Sequence, residues 1–136
     1  MTSPTAQALT GFIAWTLALL MLMEVIRSWL VSSGQVKANA FAVDNAGLSP
    51  FMQRLARAHA NCLEGLPIFG GLMVVALATG RAAVTDGLAG WMLGARVVQS
   101  LIHLASTSPQ AVTARFGAFA IQMGIAAWWC WRLWAG

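Results

Sequence analysis

At 136 residues with a formal charge of +4, the chain is the size of one domain, yet 59% of it is hydrophobic and only 9% charged. That balance excludes an ordinary soluble globular protein. The eight Lys and Arg residues are scattered between apolar runs and form no patch, which excludes nucleic acid as a partner.

Seven Trp and thirteen Gly suit a membrane setting, where Trp prefers the interface and Gly is tolerated within helices. The opening stretch, Met1 to Leu9, lacks the basic residue of a signal peptide, so the first apolar run is expected to be retained. A span needs about 20 apolar residues, and four runs qualify, at roughly 9–31, 55–79, 86–106 and 111–134. The expected fold is an all-α integral membrane protein, a four-transmembrane-helix up-down bundle occupying residues 1–136 as a single membrane domain. Cys62 and Cys130 sit singly in apolar runs without metal-ligand spacing, so both read as buried thiols and no metal site is expected.

The first run carries Glu24 and Arg27 near its end, one turn apart and able to pair. The long connection that follows holds Gly34, Lys37, Asp44, Asn45, Gly47, Ser49 and Pro50, which are turn and cap residues. In the second run Arg54, Arg57, Asn61 and Glu64 recur at spacings of three and four, which places them in one stripe, expected to face inward. Pro67, among Gly65, Gly70 and Gly71, is expected to bend that helix. The third run repeats the pattern with Arg96, Gln99 and His103, and Ser100 lies beside them. At 1.5 Å per residue Glu64 lies about 12 Å into its span and Arg96 a similar distance from the end of its own. The two are therefore expected to approach each other, with Asn61, Gln99 and His103 lining the same cleft. A purely structural ion pair is the alternative to a binding site. In the fourth run Trp128, Trp129, Trp131 and Trp134 read as an interfacial belt. Arg27, Lys37, Arg54, Arg57 and Arg115 gather at one end of the spans against Arg81 and Arg132 at the other, so both termini are expected outside the cytoplasm.

The segment from Arg57 through His59, Asn61 and Glu64 to Pro67 resembles the signature of the MAPEG family, the membrane-associated proteins in eicosanoid and glutathione metabolism, in a bacterial-type form. The resemblance extends to Gly34-Gln35-Val36-Lys37, to Ala40-Phe41-Ala42 and to Gly94-Ala95-Arg96, and it covers essentially the whole chain. It implies a homotrimer in a bacterial inner membrane. Glutathione would be taken up from the cytoplasmic side, between adjacent subunits, and a lipophilic small-molecule substrate from the membrane lipid. By position in the motif, Lys37, Arg57, Asn61, Glu64, Arg96 and Gln99 would hold glutathione, and His103 stands where many relatives carry a tyrosine. Relatives with transferase or isomerase activity place a thiol-activating arginine near the start of the fourth span, where this chain reads Pro109-Gln110-Ala111-Val112. Arg115, one turn on, is the substitute, with His103 as second candidate for assisting the thiol. Ala60 replaces a further basic residue of the motif.

Three functions follow. The first is a glutathione transferase or peroxidase acting on lipophilic electrophiles. The second is a non-catalytic lipid-binding protein of the same fold, favoured by the missing arginine and tyrosine. The third is a small multidrug transporter in which Glu24 would carry the coupling.

Overall fold

The computed structural model describes residues 2–136. Three of its helices open on one device. Ser3, Ser49 and Ser108 each turn a hydroxyl back to accept from the backbone N–H three residues on, at Ala6, Met52 and Ala111, with a proline next in the chain. A serine cap satisfies one of the orphan N–H groups of a helix start, and proline at the first position loses only an N–H that had no partner. The helices are α1 (Pro4–Ser32), α2 (Pro50–Gly65), α3 (Gly71–Ala78), α4 (Ala83–Ala105) and α5 (Pro109–Ala135), with a π-helical turn at Leu66–Gly70 joining α2 to α3. The bend expected at Pro67 takes this form. A proline withholds one backbone donor, and the chain accommodates the loss with a wider turn rather than a break.

Helices α1, α2 and α5 begin before their expected spans because an apolar run marks where lipid begins, while the Ser-Pro pairs mark where the backbone turns helical; α4 also starts early, at Ala83, without such a cap. Pro4–Ser32, Pro50–Ala78 and Ala83–Ala105 are long and apolar enough to cross a membrane. Helix α5 has the length, at 27 residues, but Gln110, Thr113, Arg115, Gln122 and Arg132 lower its apolarity.

Contacts at the helix ends fix the topology. The Thr5 hydroxyl donates to Asp86 Oδ1 at 2.6 Å, so α1 and α4 start at the same end. Arg54 Nε donates to Leu104 O at 2.8 Å, setting α2 antiparallel to α4, and Arg81 reaches the last carbonyls of α5, Leu133 O at 2.7 Å and Arg132 O at 2.8 Å. The result is the expected up-down-up-down bundle.

Two apolar cores fill it. One, around Phe12, Phe69, Met73, Met92 and Trp129, lies toward the end where the chain begins. The other, around Leu19, Met23, Met52, Leu55 and Cys62, lies toward the opposite end. Large apolar side chains such as Leu17, Met21, Val74, Trp91 and Phe116 stand on the outer surface, as a lipid-facing bundle requires. Of the expected tryptophan belt, Trp128, Trp131 and Trp134 are exposed, whereas Trp129 turns fully inward.

The connection 33–49 is held by a clamp. Arg27 forms an ion pair with Glu24 at 3.0 Å, donates to Asn45 Oδ1 and Ala42 O, and lies over the Phe41 ring. Asn45 is fully buried with φ +58°, a backbone region that Asn tolerates better than most residues, and its Nδ2 donates to Met52 O at 2.7 Å.

Candidate functional site

Between the two apolar cores lies a polar layer. Helix α4 supplies Arg96, Gln99, Ser100 and His103, all buried and spaced so that they share one face. Arg96 is completely removed from solvent. Its guanidinium donates through Nη1 to Asn61 Oδ1 and rests over the Phe12 and Phe69 rings, 5.4 and 5.7 Å from their centroids. Nε and Nη2 of the same group are buried without an acceptor among the described residues. Gly65 makes this position possible, because a Cβ there would stand 2.7 Å from Arg96 Nη2 and 2.9 Å from the Phe69 ring.

Two further contacts extend the layer onto α5. Gln122, fully buried, donates through Nε2 to Gln99 Oε1 at 2.8 Å and to Ala118 O at 3.1 Å. Arg115 Nη1 meets His103 Nδ1 at 3.0 Å. A guanidinium can only donate, so Nδ1 accepts and the imidazole proton sits on Nε2. A cavity of about 250 Å³ opens here, lined by the polar side chains of Asn61, Gln99, His103 and Arg115 and walled by Val112, Phe116 and Phe119. On the far side of Arg96, Ser100 Oγ donates to Arg96 O and lies 3.4 Å from Cys62 Sγ, a packed, closed arrangement.

Of the residues picked out in the sequence, the structure thus brings Asn61, Arg96, Gln99, His103 and Arg115 together. It separates three others. Glu64 is exposed and forms no ion pair with Arg96, the one ion pair among the described residues being Arg27 with Glu24. Asn61, one turn earlier, takes the place expected for the carboxylate. Arg57 is exposed as well, so the α2 stripe divides: Arg57 and Glu64 face out of the chain, while Arg54 and Asn61 turn toward α4. Lys37 is exposed on the long connection. Gln122 was missed by the sequence reading. Its signal was a lone amide in an apolar run seven residues after Arg115, two helical turns along the same face.

These features define a class: a multi-pass helical membrane protein with a polar cavity let into the bundle. The chain belongs to the MAPEG family, whose sequence pattern it matches over residues 8–135, nearly its whole length. No significant match is found among curated proteins or among solved structures. Membership makes the chain an integral membrane protein of the glutathione and eicosanoid metabolism type.

Proposed function

We propose that the protein binds glutathione at the cavity between α2, α4 and α5 and joins it to, or uses it to reduce, lipophilic electrophiles drawn from the membrane, as a glutathione transferase or peroxidase. The observation that carries this reading is the convergence of Asn61, Gln99, His103 and Arg115 on one cavity inside an otherwise apolar bundle. The available groups suit the tripeptide. Its carboxylates find cations in Arg57 and Lys37, its ammonium finds Glu64 at the rim, and its amides find Asn61 and Gln99. Arg96 acts through Asn61, whose carbonyl it fixes. Bound glutathione would supply a thiolate nucleophile, and Arg115 with His103 provides the nearby cation and N–H that favour thiolate over thiol.

The exposed rim supports a homotrimer. A carboxylate at membrane depth costs several kcal/mol when left against lipid, so the outward faces of Glu64 and Arg57 call for a second copy, whose own connection would bring Lys37. The basic residues gathered at the cavity end orient it toward the cytoplasm, with both termini outside, in a bacterial inner membrane. A lipid-binding role without catalysis is the second reading, favoured by the outward exposure of Val112 and Phe116 at the cavity wall. Transport through Glu24 gains no support, since Glu24 is spent on Arg27. A conjugation assay on the solubilised protein tests the proposal. Turnover above the spontaneous rate with at least one lipophilic electrophile is expected, and none across a broad panel of electrophiles and hydroperoxides contradicts it.

A further inference from the structure

The end of the bundle where α2 and α5 begin and α4 closes gathers cations without carboxylates to meet them. Arg54 and Arg57 stand one turn apart on α2. Arg54 is anchored through Nε, which donates to Leu104 O at 2.8 Å and leaves its two terminal nitrogens for another partner. Neither guanidinium has an ion pair, the only one among the described residues being Arg27 with Glu24. Beside them opens a second cavity, of about 280 Å³, lined by Pro50, Gln53 and the two arginines on α2 and by Thr107 in the link from α4 to α5. No residue lines both this cavity and the one beside His103. The four acids of the chain all stand elsewhere. Glu24 pairs with Arg27, Asp86 meets Thr5 at the opposite end, Asp44 accepts from Ala46 N within the connection, and Glu64 lies roughly 10 Å further along α2 than Arg57. Arg57 and Arg115 both lie within electrostatic reach of His103, so a third cation adds to the field of this end.

We infer that this second cavity seats the phosphate of an anionic phospholipid, with the Arg54 and Arg57 guanidiniums as its charged contacts and the Thr107 hydroxyl as a further donor. A phosphodiester presents two anionic oxygens, which match the paired N–H groups of a guanidinium fork. Position favours a lipid over a soluble phosphate. The cavity lies where spans begin and end, which is headgroup depth. Phe51 in the first turn of α2 and Leu101 near the close of α4 are exposed apolar side chains at the same end, against which acyl chains can lie. A basic pocket between spans on the side proposed to face the cytoplasm meets the leaflet richest in anionic headgroups. Arg57 is shared with the proposed glutathione contacts, whereas Arg54, Gln53 and Thr107 are not, so the inference stands without the glutathione reading.

Native mass spectrometry of the purified protein, stripped of lipid in nonionic detergent, reads the binding. Dimyristoyl phosphatidylglycerol and dimyristoyl phosphatidylcholine share their acyl chains and phosphodiester and differ in net charge. A preference of at least about tenfold for phosphatidylglycerol is expected from two arginines. Thr107→Glu sets a carboxylate at the cavity wall while sparing the Arg54 anchor, and it is expected to cut that preference to within about twofold. Gln53→Glu brings the charge from the opposite wall and is expected to do the same. Gln110→Glu adds equal charge three residues after Thr107, outside this cavity, and is expected to keep the preference. Equal binding of the two lipids by the parent overturns the inference. So does an equal loss in Thr107→Glu and Gln110→Glu, which marks a diffuse surface attraction. Inorganic phosphate separates the sources: it is expected to leave bound phosphatidylglycerol in place, whereas displacement of the lipid by phosphate at equal concentration assigns the cavity to a soluble anion and overturns the lipid.

Discussion

Replacing Asn61 with alanine removes the only side-chain acceptor that the Arg96 guanidinium has among the described residues. Two of its nitrogens are already without partners, so the substitution leaves a fully buried cation supported only by the faces of Phe12 and Phe69. A hydrogen bond to a charged group contributes about 1.5–3 kcal/mol, and leaving the buried charged donor without its acceptor costs about as much again at most. The two rings stay in place and absorb part of the loss, which brings the expected destabilisation of Asn61→Ala to about 2–3 kcal/mol. Asn61→Asp keeps the accepting oxygen and adds opposite charge, so it is expected to be at least as stable as the parent. Equilibrium unfolding in mixed micelles titrated with a denaturing detergent reads both values. The double variant Asn61→Ala with Arg96→Met removes donor and acceptor together and is expected to recover at least about 1 kcal/mol relative to Asn61→Ala alone. Asn61→Ala falling within about 0.5 kcal/mol of the parent, the range of a surface change, refutes the reasoning, as does a double variant whose loss is the sum of the singles.

Gly65→Ala places a methyl where Arg96 Nη2 and the Phe69 ring now sit; it is expected to displace the guanidinium from Asn61 and weaken glutathione binding at least about tenfold, and unchanged affinity by calorimetry counts against the layer. Asn45→Ala strips Arg27 of its main acceptor and Met52 O of its donor, so it is expected to cost about 1–3 kcal/mol and speed limited proteolysis within 33–49; an unchanged cleavage rate rejects the clamp. Arg115→Ala and His103→Phe are each expected to lower conjugation by at least about tenfold and to act non-additively when combined, since they form one unit; independent, additive losses in kcat contradict that.

Much of the bundle was legible because membrane spans announce themselves by composition, and the polar periodicity of α4 located Arg96, Gln99 and His103 on one buried face. The α2 stripe was equally visible, yet its direction was not. Periodicity says which residues share a face and leaves open whether the chain itself or a neighbouring copy covers that face. Glu64 and Arg57 therefore read as inward residues and stand outward. The Arg96 partner was misassigned for a related reason: matching charges suggested Glu64, while the close approach allowed by Gly65 seats the guanidinium against α2 beside Asn61. Arg115 could be named as the substitute for a missing arginine, but its contact with His103 depends on where α5 begins, and the signal for that was Ser108-Pro109 instead of the apolar run. Gln122 and the Asn45 clamp depend on tertiary contacts, which no local pattern specifies.

Equilibrium dialysis of radiolabelled glutathione against the purified oligomer bears most directly on the proposed site. Saturable binding is expected for the parent protein, lost in Asn61→Ala and in Glu64→Ala and kept in Glu24→Gln, whose position lies at the loop clamp. Absence of saturable binding, or binding indifferent to Asn61 and Glu64, would contradict the assignment of the cavity and its rim to glutathione.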